Sequence, residues 1–166
     1  MRRKRSVVKM TEVEVINVAM DLDFKMPVVI LKEKKENRKL PIWMELSEAR
    51  SIASAMETKN TSSSLYLAHG LIRRLIEKFE GEVNKVIINE LKNNIYYAKI
   101  LIKMDEEILE VDAHPSDAII LALKFKVSIY VNEDRISMVG QKPISDRELN
   151  EFRKKLEYIK PEDFAF

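Results

Sequence analysis

The chain has 166 residues, 46% hydrophobic and 34% charged, with no cysteine. That size and apolar fraction suffice for one domain with a real core and exclude disorder of the whole chain. The lack of cysteine excludes disulfides and thiolate metal sites and fits a reducing cytoplasm. The net charge of +2 conceals an asymmetry. Arg2, Arg3, Lys4, Arg5 and Lys9 form a basic arm, and the other 24 basic and 27 acidic residues leave the body slightly acidic. The body is therefore not a strongly basic nucleic-acid binder. The arm reads either as a solvated terminus or as a phosphate contact. No apolar stretch of signal-peptide type follows it, and the longest apolar run, Ala118 to Leu123, is far too short to span a membrane. A cytoplasmic protein with no membrane segment is expected. The Lys- and Glu-rich composition suggests a thermophilic source.

In chain order, Val7 to Met20 mixes β-branched and polar residues and reads as a strand, Pro27 to Lys34 as a second. Glu36 to Lys39 turns the chain into a short third strand, Leu40 to Trp43, where Pro41 suits a sheet edge. Glu45 to Met56 carries Ala49, Ile52, Ala53 and Met56 at helical spacing. After a polar loop, Ser64 to Glu80 predicts a second helix with Ala68, Leu71, Ile72, Leu75 and Phe79 on one face and Gly81 at its end. Glu82 to Leu91 and Ile95 to Met104 flank Asn93-Asn94, a pair suited to a tight hairpin, and Glu107 to Val111 returns as a third antiparallel strand. Asp112 to Lys126 is a turn into a helix that is apolar on every side from Ala118 to Leu123, so it should be the most buried helix. Val127 to Val131 is a short strand. Ser145 to Ile159 predicts a final amphipathic helix, with Leu149, Phe152, Leu156 and Ile159 on one face and Ser145 and Glu148 as a capping box. The pattern argues for an α+β fold: a mixed, mainly antiparallel sheet with helices packed on it. It divides into a basic arm (1–10), a domain (11–140), and a C-terminal helix and tail (141–166) packed on that domain.

Four ordered segments carry a family resemblance. Asp112-Ala113-His114-Pro115-Ser116-Asp117-Ala118 resembles the Asp-Ala-Arg-Pro-Ser-Asp-Ala run of the bifunctional nuclease domain family. Pro27 to Glu33 is similar to that family's early strand. Leu40-Pro41-Ile42-Trp43 with Glu48-Ala49 is similar to its Leu-Pro-Ile-Trp and Glu-Ala segment, and Pro161-Glu162-Asp163-Phe164 to its ending. Two departures stand out: His114 replaces the family's Arg, and Ala68-His69-Gly70 replaces Thr-His-Asp, keeping His69 and losing the acid. The resemblance implies hydrolysis of phosphodiester bonds in DNA and RNA.

Such chemistry calls for carboxylates on Mg²⁺ or Mn²⁺ and a group that moves protons. The candidate metal ligands are Asp112, Asp117 and Glu110. The candidate catalytic residues are Asp112, His114, Asp117 and His69. Arg73, Arg74 and Lys78 are candidate nucleic-acid contacts. Each has a structural alternative. Pro115 suits the first helical position, which makes His114 the N-cap and lets Asp117 bond back to the cap N–H. Trp43 suits packing better than base stacking, and the basic trio suits a solvated helix face. No Gly-rich phosphate loop, HExxH or GxSxG is present, and no organic cofactor is expected. The alternative function is a non-enzymatic interaction or regulatory module that forms a homodimer or binds a protein partner.

Overall fold

The computed structural model describes residues 8–36, 38–57 and 68–134, together with the backbone of 156–158. Its elements are β1 (Met10–Asp21), β2 (Met26–Glu33), β3 (Lys39–Trp43), α1 (Leu46–Met56), α2 (Ala68–Lys78), β4 (Glu82–Lys92), β5 (Ile95–Met104), β6 (Glu107–Ala113), α3 (Pro115–Phe125), β7 (Ser128–Asn132) and β8 (Leu156–Tyr158). The strands form one sheet in the order β3-β2-β1-β7-β4-β5-β6, with β8 added to β1. Two antiparallel runs, β3-β2-β1-β7 and β4-β5-β6, are joined by the parallel pair β4–β7. The fold is α+β, as the pattern of hairpins and separate helices implied.

Local chemistry explains the turns. Asn93 and Asn94 both take positive φ, 52° and 60°, so the β4–β5 hairpin has the twist that a two-residue turn needs. Pro41 lies in β3, at the sheet edge, where its missing N–H costs no ladder bond. α3 ends at Lys126, which is forced into the left-handed region (φ 55°) so that the Val127 N–H can reach the Ala122 carbonyl at 3.0 Å.

The main core lies between the sheet and the helices. Ala118, Ile119, Ile120, Leu121 and Ala122 of α3 are buried against Val86, Ile88, Ala98 and Ile100 of the sheet, and α1 contributes Ala49, Ile52 and Ala53. Each fully buried Ile or Leu contributes about 1.5–3 kcal/mol. Strand alternation then fixes which residues face the helices. Ile100 pairs with Val111 and Ala98 with Ala113, so these share the helix-bearing face. Lys99 pairs with Asp112 and Leu101 with Glu110, so Asp112 and Glu110 lie on the opposite face. A small second cluster, Ala19, Val28 and Ile30 with Ile16 and Trp43, also forms.

One expectation needs correction. The side-chain spacing predicts a helix over Ser145 to Ile159, yet Leu156–Tyr158 is a strand. β1 is twelve residues long, and β7 pairs only with its Met10 to Val13 end. β8 pairs with Ala19 to Asp21, satisfying backbone groups that β7 leaves open. The rest of the expected helix, the basic arm up to Val7 and the closing Pro161-Glu162-Asp163-Phe164 lie outside the described residues.

Beyond the end of β7, Glu133 ties the sheet together. Its carboxylate meets Lys9, Thr11 and Arg38, at 2.7, 2.5 and 2.5 Å. Burial works to raise its pKa, but the hydrogen bonds from Arg38, Lys9 and Thr11 win and hold it down at about 2. Because the folded value lies below the ordinary 4.5, this stabilisation is present above pH 4.5 and is lost as pH falls towards 2. In urea titrations, wild type should exceed Glu133→Gln by about 2–3 kcal/mol near neutral pH, and the gap should close between pH 4.5 and 2. A gap that stays constant over that range would contradict the assignment.

Candidate functional site

The first turns of α1 and α3 meet beneath the β4–β5 hairpin. Glu48, in the first turn of α1, accepts the Glu45 N–H through Oε2 at 2.8 Å, which satisfies a donor that the helix start leaves open. Its other oxygen, Oε1, accepts the Ser116 hydroxyl at 2.7 Å. Ser116 sits in the first turn of α3 and is only 3% exposed. Pro115 holds the first helical position and His114 is the extended N-cap, with no side-chain cap bond of its own. The His114 ring turns instead towards this pair: Nδ1 is 2.8 Å from Ser116 Oγ and 2.8 Å from Glu48 Oε1.

A second histidine–carboxylate pair involves the same turn of α3. Asp117 does not bond back to the cap; its Oδ1 meets His69 Nε2 of α2 at 2.8 Å. Gly70, next to His69, is buried, and α2 packs against α3.

A cleft of about 200 Å³ opens beside His114. Trp43, Tyr96, Met26 and Ile95 supply apolar wall, and Glu45, Glu48 and Asn94 supply polar atoms. Trp43 is fixed by a 2.9 Å bond from its Nε1 to Asp21 Oδ2, while Asp21 Oδ1 accepts the N–H groups of Asp23 and Phe24. Tyr96 is buried, which pushes its phenol well above the usual range, and its hydroxyl has no partner among the described residues.

The family model described as the bifunctional nuclease domain matches residues 29–143. The chain belongs to the bifunctional nuclease domain family. Two relatives from different strains of Mycobacterium tuberculosis, each named only as an uncharacterized protein, are 30% identical over 166 residues, covering 93% of this chain and 98% of each relative. Among the described residues, no helix is long and apolar enough to cross a membrane.

In this bifunctional nuclease domain the sequence-predicted residues separate into groups. His69 and Asp117 come together, and His114 stands at the same helix start. Glu110 and Asp112 do not join them. They lie on the sheet face away from α3, where Glu110 pairs with Lys99 at 2.6 Å. Among the described residues no three His, Asp or Glu side chains are grouped to hold a metal ion. Of the expected metal ligands, Asp117 stands at the start of α3, and Asp112 and Glu110 lie on the other face of the sheet. Arg73 is engaged with Glu77, with the Lys124 carbonyl and with the face of Phe125, towards the C-terminal end of α3. Arg74 and Lys78 are exposed. Lys78 is nine residues beyond His69, or about 13 Å along the helix.

Two residues that organise the site escape sequence reasoning as site residues. For Glu48 the signal is its place three residues after the helix cap, the spacing of a capping carboxylate. For Asp21 the turn Asp21-Leu22-Asp23 announces only a local role. Its bond to Trp43 spans 22 positions, which no local pattern reveals. Asp21→Ala should leave the indole N–H without its acceptor and cost about 2 kcal/mol. The single tryptophan reports this directly by fluorescence-detected urea unfolding; an unchanged midpoint would contradict it.

Proposed function

We propose that this chain is a nuclease that hydrolyses phosphodiester bonds in DNA and RNA, with histidine–carboxylate pairs at the start of α3 moving the protons. The observation that carries this reading is the 2.8 Å contact between His69 Nε2 and Asp117 Oδ1. A carboxylate can only accept, so Nε2 carries the proton. The neutral His69 ring then has its lone pair on Nδ1. A histidine oriented by a carboxylate is a recurring device for proton transfer, and His114 supplies a second ring at the same helix start. Family membership supports the substrate class. Exposed Arg74 and Lys78 offer phosphate contacts, and the weakly charged body implies modest, salt-sensitive affinity. Mg²⁺ and Mn²⁺ are variables of the test below.

A second reading has its own observation. Leu71, Ile72, Leu75 and Phe79, on or just beyond α2, are 38–68% exposed, and Leu109 and Val111 of the edge strand β6 are 42% and 43% exposed. Such apolar surface favours an interaction module that dimerises or binds a protein partner.

Plasmid DNA and a structured RNA, incubated with the purified protein and Mg²⁺, Mn²⁺ or EDTA, separate the two. The nuclease reading expects cleavage that falls about 100-fold or more in His69→Ala and in Asp117→Asn. Equal cleavage by the variants would assign the activity elsewhere. No cleavage under any condition, with concentration-dependent association in sedimentation, would favour the interaction module.

A further inference from the structure

The contacts around His114 determine where its ring proton sits. Ser116 has one hydroxyl proton and it lies on the 2.7 Å line to Glu48 Oε1. His114 Nδ1 faces both Ser116 Oγ and Glu48 Oε1 at 2.8 Å. A lone pair on Nδ1 would confront the lone pairs of a carboxylate oxygen at hydrogen-bond distance, which is repulsive. Nδ1 must therefore carry a proton, shared between the serine and the glutamate. In the neutral ring the lone pair then resides on Nε2.

We infer that Glu48 is a positioning residue that, with Ser116, holds His114 in its Nδ1–H tautomer and presents Nε2 beside the cleft as the acceptor of the attacking water's proton. The step rests on the proposed nuclease reading. Nε2 takes a proton from water as the water oxygen bonds to phosphorus. The P–O ester bond breaks, its electron pair leaves with the departing oxygen, and that oxygen is protonated from solvent. The side chain of His114 is half exposed and lines the cleft, whereas Ser116 is buried and Glu48 is largely covered. Glu48 is itself held by the Glu45 N–H on its other oxygen, so the ring is oriented by a group that is already anchored.

The two histidines of the chain should then differ. His69 donates Nε2–H to Asp117, and His114 donates Nδ1–H to the Glu48–Ser116 pair. Nitrogen-detected long-range imidazole NMR of the wild-type protein near neutral pH reads both tautomers at once, with His69 as the internal reference. One ring of each kind is expected; two Nε2–H rings would overturn the positioning role, whatever the protein cleaves. In Glu48→Gln, one side-chain oxygen must serve the Glu45 N–H, leaving the amide NH₂ towards the ring. His114 should then revert to Nε2–H, and cleavage should fall about 100-fold. Glu48→Gln/His114→Ala should cleave no more slowly than His114→Ala alone, because the two residues act as a unit. An unchanged His114 tautomer in both Glu48→Gln and Ser116→Ala overturns the positioning role. Opposite tautomers in a wild-type protein that cleaves nothing would support the positioning and sink the nuclease reading, so the two failures are distinguishable.

Discussion

The bond from the buried Ser116 hydroxyl to Glu48 joins two helix starts that are far apart in sequence. Each helix start leaves N–H groups without intrahelical partners, and such groups are costly when covered by protein. Glu48 meets that demand at α1 through the Glu45 N–H and at the same time accepts from the first turn of α3. Without this clamp the two helices would still share apolar core, but hydrophobic contact is non-directional and does not set side-chain orientation. The clamp converts a packed interface into a defined constellation of polar groups.

The contrast between the two histidines depends on this clamp. His114 and His69 are each oriented by a carboxylate, but through different ring nitrogens. Pro115 places His114 at the cap with extended backbone, and the alternation of β6 brings the chain into α3 on the helix-bearing face. The same alternation turns Asp112 and Glu110 to the other side of the sheet. The sheet itself thus separates the two carboxylates of β6 from the helix start that carries His114 and Asp117.

Much of the fold is legible in the sequence because local rules and tertiary demand agree. The Asn93-Asn94 turn, the three-stranded β4-β5-β6 run and the buried α3 follow from residue type and spacing. Leu156–Tyr158 departs from its pattern because helical spacing persists there while the open edge of β1 calls for a strand. Here backbone hydrogen bonding overrides the side-chain pattern. The Asp112 to Ala118 run points to the correct family. Alternation puts Glu110 and Asp112 on one face of the strand, but it does not say that this face lies away from α3 and Asp117. Nor does it reveal the bond from Glu48, 68 residues upstream of Ser116, or the pairing of His69 with Asp117 across 48 positions. The replacement of the family's Arg by His114 gains its meaning only from those distant partners.

Glu48 and Ser116 form one directional clamp on which the site depends. A double-mutant cycle on folding stability, with Glu48→Gln, Ser116→Ala and the double variant compared by urea unfolding, tests this most directly. The clamp predicts a coupling energy of about 1–3 kcal/mol between the two positions, because each variant strands the other's buried group. Additive effects, with coupling near zero, would mean that the two helix starts are held by packing alone and would contradict this account of the site.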